Sequence, residues 1–248
     1  MLSDLLLLVL AGSATAFATG LGAIPVFMLG ERARRLRPLM WGTAIGLMGV
    51  ASVVGLLLPA VDEGGSGSVV AGTACGVAFL ALARWGLRSP ELSFRDLRGA
   101  GVRTSLLVFG VLLVHSLPEG MAIGTAYASG TAGLGLFVIL AIGLQNIPEG
   151  TSVAIPMESA GFTPGAQFWA AVLTSVPQPI GAVGAYLLVE QVSRLLPFSF
   201  AFAAGAMLAL VAVEMMPAAF TRSTWRGAAL GTLAGAGLML ALSALLGV

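Results

Sequence analysis

The chain has no lysine, a single histidine and a single cysteine, and only 9% of its 248 residues are charged. A soluble globule of this length must cover itself with polar and charged groups, so the scarcity excludes one. The lone cysteine, Cys75, excludes an internal disulfide and any metal site built from several thiolates; in the third hydrophobic run it is expected as a small buried apolar residue. A net charge of +1, with no basic patch carrying interleaved aromatics, gives no sign of a nucleic-acid partner. What remains is oil and small residues: 58% of the chain is hydrophobic, 34 residues are glycine, and the mean hydropathy is +0.99.

Such a chain has the lipid bilayer as its solvent. An apolar core of about 30 Å needs roughly 20 helical residues to cross it. Hydrophobic runs of that length predict eight helices, at about residues 5–29, 39–60, 69–87, 104–128, 132–156, 165–189, 195–220 and 227–248. The expected fold class is an all-α membrane protein with one transmembrane domain over residues 1–248. Within the first run AGSATA (11–16) resembles a signal-peptide cleavage site, but the start, MLSDLLLLVL, carries Asp4 and no basic residue, and the run is read as a span. Recurrent small residues, such as Gly231, Gly235 and Gly237, are expected to let helices approach closely, and the methionines, Met207, Met215 and Met216 among them, to fill space.

Basic residues set the orientation. All twelve are arginine. Arg32, Arg34, Arg35 and Arg37 fall in one predicted loop, five more in the stretch 84–103, and Arg222 and Arg226 in a third loop on the same side; Arg194 alone lies opposite, with Asp4, Asp62, Glu63 and Glu190. By the positive-inside rule the arginine-rich loops face the cytoplasm and both termini lie outside, in the cell (inner) membrane. The segment 88–103 is expected to be a solvated interface stretch, and residues 62–68 a flexible external link.

Against this background two short stretches stand out. His115 to Gly120 reads HSLPEG, and Gln145 to Gly150 reads QNIPEG. Both fall in the middle of predicted spans, where one carboxylate costs roughly 2.5–3.5 kcal/mol. No arginine is expected at that depth, so a proton or a bound cation must compensate. His115 and Glu119 are spaced i, i+4 and share one helix face, as do Gln145 and Glu149. A turn at 129–131 makes the two helices neighbours, so an imidazole, an amide and two carboxylates can meet, a set suited to a divalent ion of the zinc, iron(II), manganese or cadmium type. Pro118 and Pro148 remove one helical hydrogen bond each beside the glutamates. Taken singly, His115 reads as a core histidine and the glutamates as protonated packing residues; their duplication in order, spacing and depth points to a site.

Other polar groups at depth are Ser116, Asn146, Ser175, Gln178 and Glu214. Gln178 lies between Pro177 and Pro179 in a helix expected to be broken; its amide fits either a coordination shell or an interhelical hydrogen bond. Glu214, nearer the cytoplasmic end of its span, fits an ion exit or proton path, or an interface carboxylate facing water.

These motifs resemble those of the ZIP family of divalent-metal transporters, in its GufA-like branch. HSLPEG is similar to the helix 4 signature and QNIPEG to that of helix 5; ATGLGAIPV (18–26), TSVPQPIGA (174–182) and AAGAMLALVAVEMMP (203–217) resemble helices 1, 6 and 7. The resemblance implies an inverted 3+2+3 arrangement of eight helices, transport toward the cytoplasm, and plausible dimers. It places His115, Glu119, Gln145 and Glu149 at the primary metal positions. Ser116, Asn146 and Gln178 fall where some members carry ligands for a second ion; having lost those carboxylates, this chain is expected to hold one ion. The histidine-rich loop of many members is absent.

The sequence therefore predicts a carrier that moves divalent transition-metal cations, zinc foremost, with no cofactor and no enzymatic activity. One rival is an intramembrane metallohydrolase with Glu119 as general base, disfavoured by the single histidine. Another is a metal-independent proton or solute channel.

Overall fold

The structure is a computed structural model that describes residues 2–87 and 100–248, without the side chains of residues 31, 87 and 100–108. The expected interface stretch 88–103 lies outside the described residues up to position 99; residues 100–103 begin a helix. Among the described residues all regular structure is helical, and eight segments are long and apolar enough to cross a membrane.

The first span joins α1 (Leu2–Leu21) and α2 (Ala23–Leu29). The second comprises α3 (Glu31–Ser52), a π-helical turn (Val53–Leu57) and α4 (Leu58–Glu63); the third is α5 (Ser66–Leu87). The fourth and fifth are α6 (Ala100–Ala128) and α7 (Leu134–Ser159). In the sixth, α8 (Pro164–Thr174) and α9 (Pro177–Gln191) flank a break at residues 175–176. The seventh holds α10 (Leu196–Leu210), a second π turn (Val211–Met215) and α11 (Met216–Ala219), and the eighth is α12 (Trp225–Leu246).

Three expectations are corrected. The external link expected at 62–68 is reduced to residues 64–65, between α4 and α5. The arginine-rich segment after the first span is not a loop: Arg32, Arg34, Arg35 and Arg37 lie in the opening turns of α3, because Glu, Arg, Ala and Leu are all strong helix formers. Cys75 is exposed rather than buried. Helix α5 meets α10 through Gly72 and Gly76, whose positions abut the carbonyls of Phe198 and Phe202. Cys75, about 100° around the helix from Gly76, is turned outward. The sixth span is broken as its prolines suggested, whereas α6 and α7 continue through Pro118 and Pro148.

Packing follows an inverted repeat. The second span packs on the eighth and the third on the seventh; the fourth packs on the sixth and the fifth on the first; the second also meets the fifth, and the seventh the fourth. Exchanging spans 1 with 6, 2 with 7, 3 with 8 and 4 with 5 carries every one of these pairings into another. Partners so exchanged are an odd number of crossings apart and run in opposite directions. The π turns obey the same exchange: Val53–Leu57 precedes Pro59, and Val211–Met215 precedes Pro217.

Close backbone approach makes these pairings, as expected where lipid supplies no hydrophobic drive between helices. A Cβ at Gly120 would collide with the carbonyl of Gln178, and one at Gly150 with the carbonyl of Thr19. The terminal glycines of both PEG motifs thus seat the fourth span on the sixth and the fifth on the first. Gly231 and Gly235 likewise abut α3, while Gly237 faces open space.

Candidate metal centre

With Gly120 and Gly150 pressed against neighbouring backbones, the preceding turns of α6 and α7 face each other at the centre of the bundle. His115 and Glu119 come from one helix and Glu149 from the other, and one ligand atom from each lies within 4.8 Å of the other two. Nε2 of His115 is 3.2 Å from Oε1 of Glu119 and 3.7 Å from Oε1 of Glu149. Gln145 donates from Nε2 to Oε1 of Glu119 at 2.5 Å, and Gln178 donates from Nε2 to Oε2 at 2.7 Å. Both oxygens of Glu119 are therefore held by neutral amides, and among the described residues neither glutamate pairs with an arginine.

Behind this layer lies a second. Oε1 of Gln178 accepts from the hydroxyl of Thr15 at 2.7 Å and from Nδ2 of Asn146 at 3.1 Å. Asn146 also donates to the Thr15 carbonyl at 2.7 Å, and Thr19 bonds Ser175 at 2.7 Å beside the break in the sixth span. The break frees Gln178 to enter the centre from a helix start. Ser116 turns away and donates to the Leu112 carbonyl of its own helix at 2.9 Å.

Four buried polar atoms in this centre have no hydrogen-bond partner: Nε2 of His115, Oε1 of Gln145, Oδ1 of Asn146 and Oε1 of Glu149. Each can offer a lone pair. Such orphans are rare because each forfeits its hydration without replacement, at about 1–3 kcal/mol apiece. Several acceptors facing inward are satisfied together by a cation, and one nitrogen with several oxygens suits a borderline divalent ion.

From Glu149 a cavity of about 380 Å³ runs toward the arginine-rich end, past Ser152, Leu210 and Trp41 to Arg37 and Glu214. Glu149 is 6% exposed through it, whereas Glu119 is fully buried. Glu214 is paired with Arg84 at 2.8 Å, and Arg34 with Glu158 at 2.5 Å. Sequence reasoning singled out neither Thr15 nor Arg84. The threonines of the first span, Thr15 and Thr19, one turn apart in an apolar run, were the available signal for the former.

Residues 90–243 match the family model described as ZIP Zinc transporter. The Zinc transporter GufA of Myxococcus xanthus is 34% identical over 93% of this chain and 95% of its own length. The Zinc transporter ZIPB of Bordetella bronchiseptica is 32% identical over 96% of the chain and 81% of its own length. An Arabidopsis thaliana protein provisionally assigned as a zinc transporter is 39% identical over 85% of the chain, which spans 34% of that longer protein. An all-helical bundle with eight membrane-crossing segments and two PEG motifs, matched along most of its length to proteins of one kind, is a multi-pass membrane protein that belongs to the ZIP family of transporters and is related to GufA.

Proposed function

We propose that this protein carries divalent transition-metal cations, zinc foremost, across the membrane toward the cytoplasm by alternating access. His115, Glu119, Gln145 and Glu149 are its primary ligands, with the Asn146 oxygen beside them. The observation that carries this reading is the convergence of unpartnered lone pairs: among the described residues His115, Gln145, Asn146 and Glu149 each hold one buried atom without a hydrogen-bond partner, and His115, Glu119 and Glu149 bring ligand atoms within 4.8 Å of one another at mid-membrane depth. Two carboxylates neutralise a dication, so a filled site buries little net charge. Gln178 presents its amide nitrogen, a donor, to Glu119. It therefore acts as a hydrogen-bond partner, and the centre holds one ion.

The cavity from Glu149 to Glu214 supports release at the arginine-rich end, with Glu214 on the exit path. The opposite, outward-open state arises when one group of helices shifts against the other. By the arginine distribution both termini lie outside. No observation favours the metallohydrolase: the relatives are named as transporters, and one histidine makes a poor hydrolytic zinc site.

Reconstituted liposomes loaded with a zinc-sensitive dye test the proposal. Zinc influx is expected for the wild type and lost in Glu119→Ala and Glu149→Ala, both still present in the membrane. Because a carboxylate must be ionised to ligate, protons compete with metal, and influx at fixed free zinc falls as the pH is lowered. Wild-type influx in both variants overturns the assignment.

A further inference from the structure

The metal ligands are held by a chain of hydrogen bonds that begins outside them, on the first span. Thr15, buried to within 2% in α1, places Oγ1 2.7 Å from Oε1 of Gln178 and 2.9 Å from the carbonyl of Gly12. Gln178 then donates from Nε2 to Oε2 of Glu119. An amide has one acceptor end and one donor end, and which end faces Glu119 decides whether the contact attracts or repels the carboxylate. Two donors, the Thr15 hydroxyl and Nδ2 of Asn146, converge on the oxygen end of Gln178 and so fix its nitrogen toward Glu119.

We infer that Thr15 is a positioning residue for metal binding: by holding the amide of Gln178 it fixes the Glu119 carboxylate in the orientation the cation requires. This rests on the proposed role of Glu119 as a ligand. Gln178 carries no charge of its own, and its single N–H directed at Oε2 leaves Oε1 facing His115 and Gln145. Without the Thr15 hydroxyl, Asn146 alone restrains the amide, at the longer distance of 3.1 Å. The Asn146 bond to the Thr15 carbonyl involves backbone and survives any side-chain change there, so packing of the first span on the fifth is retained.

The molecule contains a matched control. Thr125, in α6, is equally buried and makes an equally short hydroxyl bond, but to Ser199 of the seventh span, at 2.6 Å, away from the metal centre. Thr15→Val and Thr125→Val each remove one buried hydroxyl of nearly constant volume; only the first breaks the chain to the site.

Zinc influx is measured in proteoliposomes for the wild type, Thr15→Val, Thr15→Ser and Thr125→Val, with thermal unfolding of each metal-free protein in detergent. Thr15→Val is expected to raise the KM for zinc about five- to tenfold, the effect of one buried hydrogen bond, with Vmax within about twofold of wild type. Thr15→Ser restores KM and Thr125→Val leaves it unchanged, with Tm alike in both valine variants. An unchanged KM in Thr15→Val, an equal rise in Thr125→Val, or a fall in Vmax alone overturns the inference. Should Thr15→Val fail to accumulate, Thr15→Ala carries the same test against Thr125→Ala. Zinc influx that survives Glu119→Ala overturns the ligand assignment itself; loss of influx there with an unchanged KM in Thr15→Val overturns only the positioning role.

Discussion

Glu119 and Glu149 occupy matching places in the duplicated motif but differ in what surrounds them. Glu119 has an amide donor on each oxygen, while Glu149 has an oxygen without a hydrogen-bond partner and a view into the cavity. On the proposed function, Glu119 is then the fixed anchor and Glu149 the ligand that lets go first on release. The difference predicts unequal effects of the same isosteric change. Glu119→Gln turns an amide N–H toward one of the N–H groups that Gln145 and Gln178 present, a donor facing a donor in a dry site, and should destabilise the metal-free protein by about 1–3 kcal/mol. Glu149→Gln removes a buried charge that few donors support and should leave metal-free stability unchanged or raised. Both should abolish zinc binding. Thermal unfolding in detergent, with and without zinc, checks this; equal losses of metal-free stability would contradict the anchor role.

At the scale of the element, the PEG motif joins a buried carboxylate, the proposed ligand, to a packing surface. The glycine one residue after the glutamate lets a neighbouring backbone, that of Gln178 or of Thr19, come close. Gly150→Ala sets a methyl group against the Thr19 carbonyl, and Gly120→Ala sets one against that of Gln178; neither backbone can yield without separating two spans. Each should cost about 1–3 kcal/mol and reduce zinc influx, whereas Gly184→Ala, which meets open space in the same bundle, should do neither. Melting temperatures and flux for the three variants decide it. Much of this was legible in the sequence, because i, i+4 spacing places residues on one face whatever the tertiary structure, and prolines foretold the break in the sixth span. The π turns were not legible, since widening one helical turn leaves hydropathy unchanged. Nor was the pairing of Arg84 with Glu214, which joins residues far apart in the chain, or the contact of Thr15 with Gln178, since a threonine hydroxyl in a helix can always bond its own backbone and so does not announce a tertiary partner.

The whole molecule is described with its cavity open toward the arginine-rich end, and alternating access requires that this cavity close when the other side opens. The Arg34–Glu158 pair lies at the arginine-rich end: Arg34 begins the second span and Glu158 ends the fifth, so the bond ties two spans from different halves of the inverted repeat. A contact made in one state and lost in the other shifts the balance by its own free energy, which for a part-exposed pair is about 0.2–1 kcal/mol. Removing it should therefore favour the closed mouth by a factor of about 1.4 to 5. The protein's single cysteine makes this measurable. In a Cys75→Ser background, Ser152→Cys places one thiol in the cavity wall beside Glu149. A membrane-impermeant maleimide applied from the arginine-rich side should label it, and adding Arg34→Gln should slow the labelling by up to that factor. The charge-reversed pair, Arg34→Glu with Glu158→Arg, should restore the rate. Labelling that is faster in Arg34→Gln would mean that the ion pair restrains opening instead, and would reverse the assigned role.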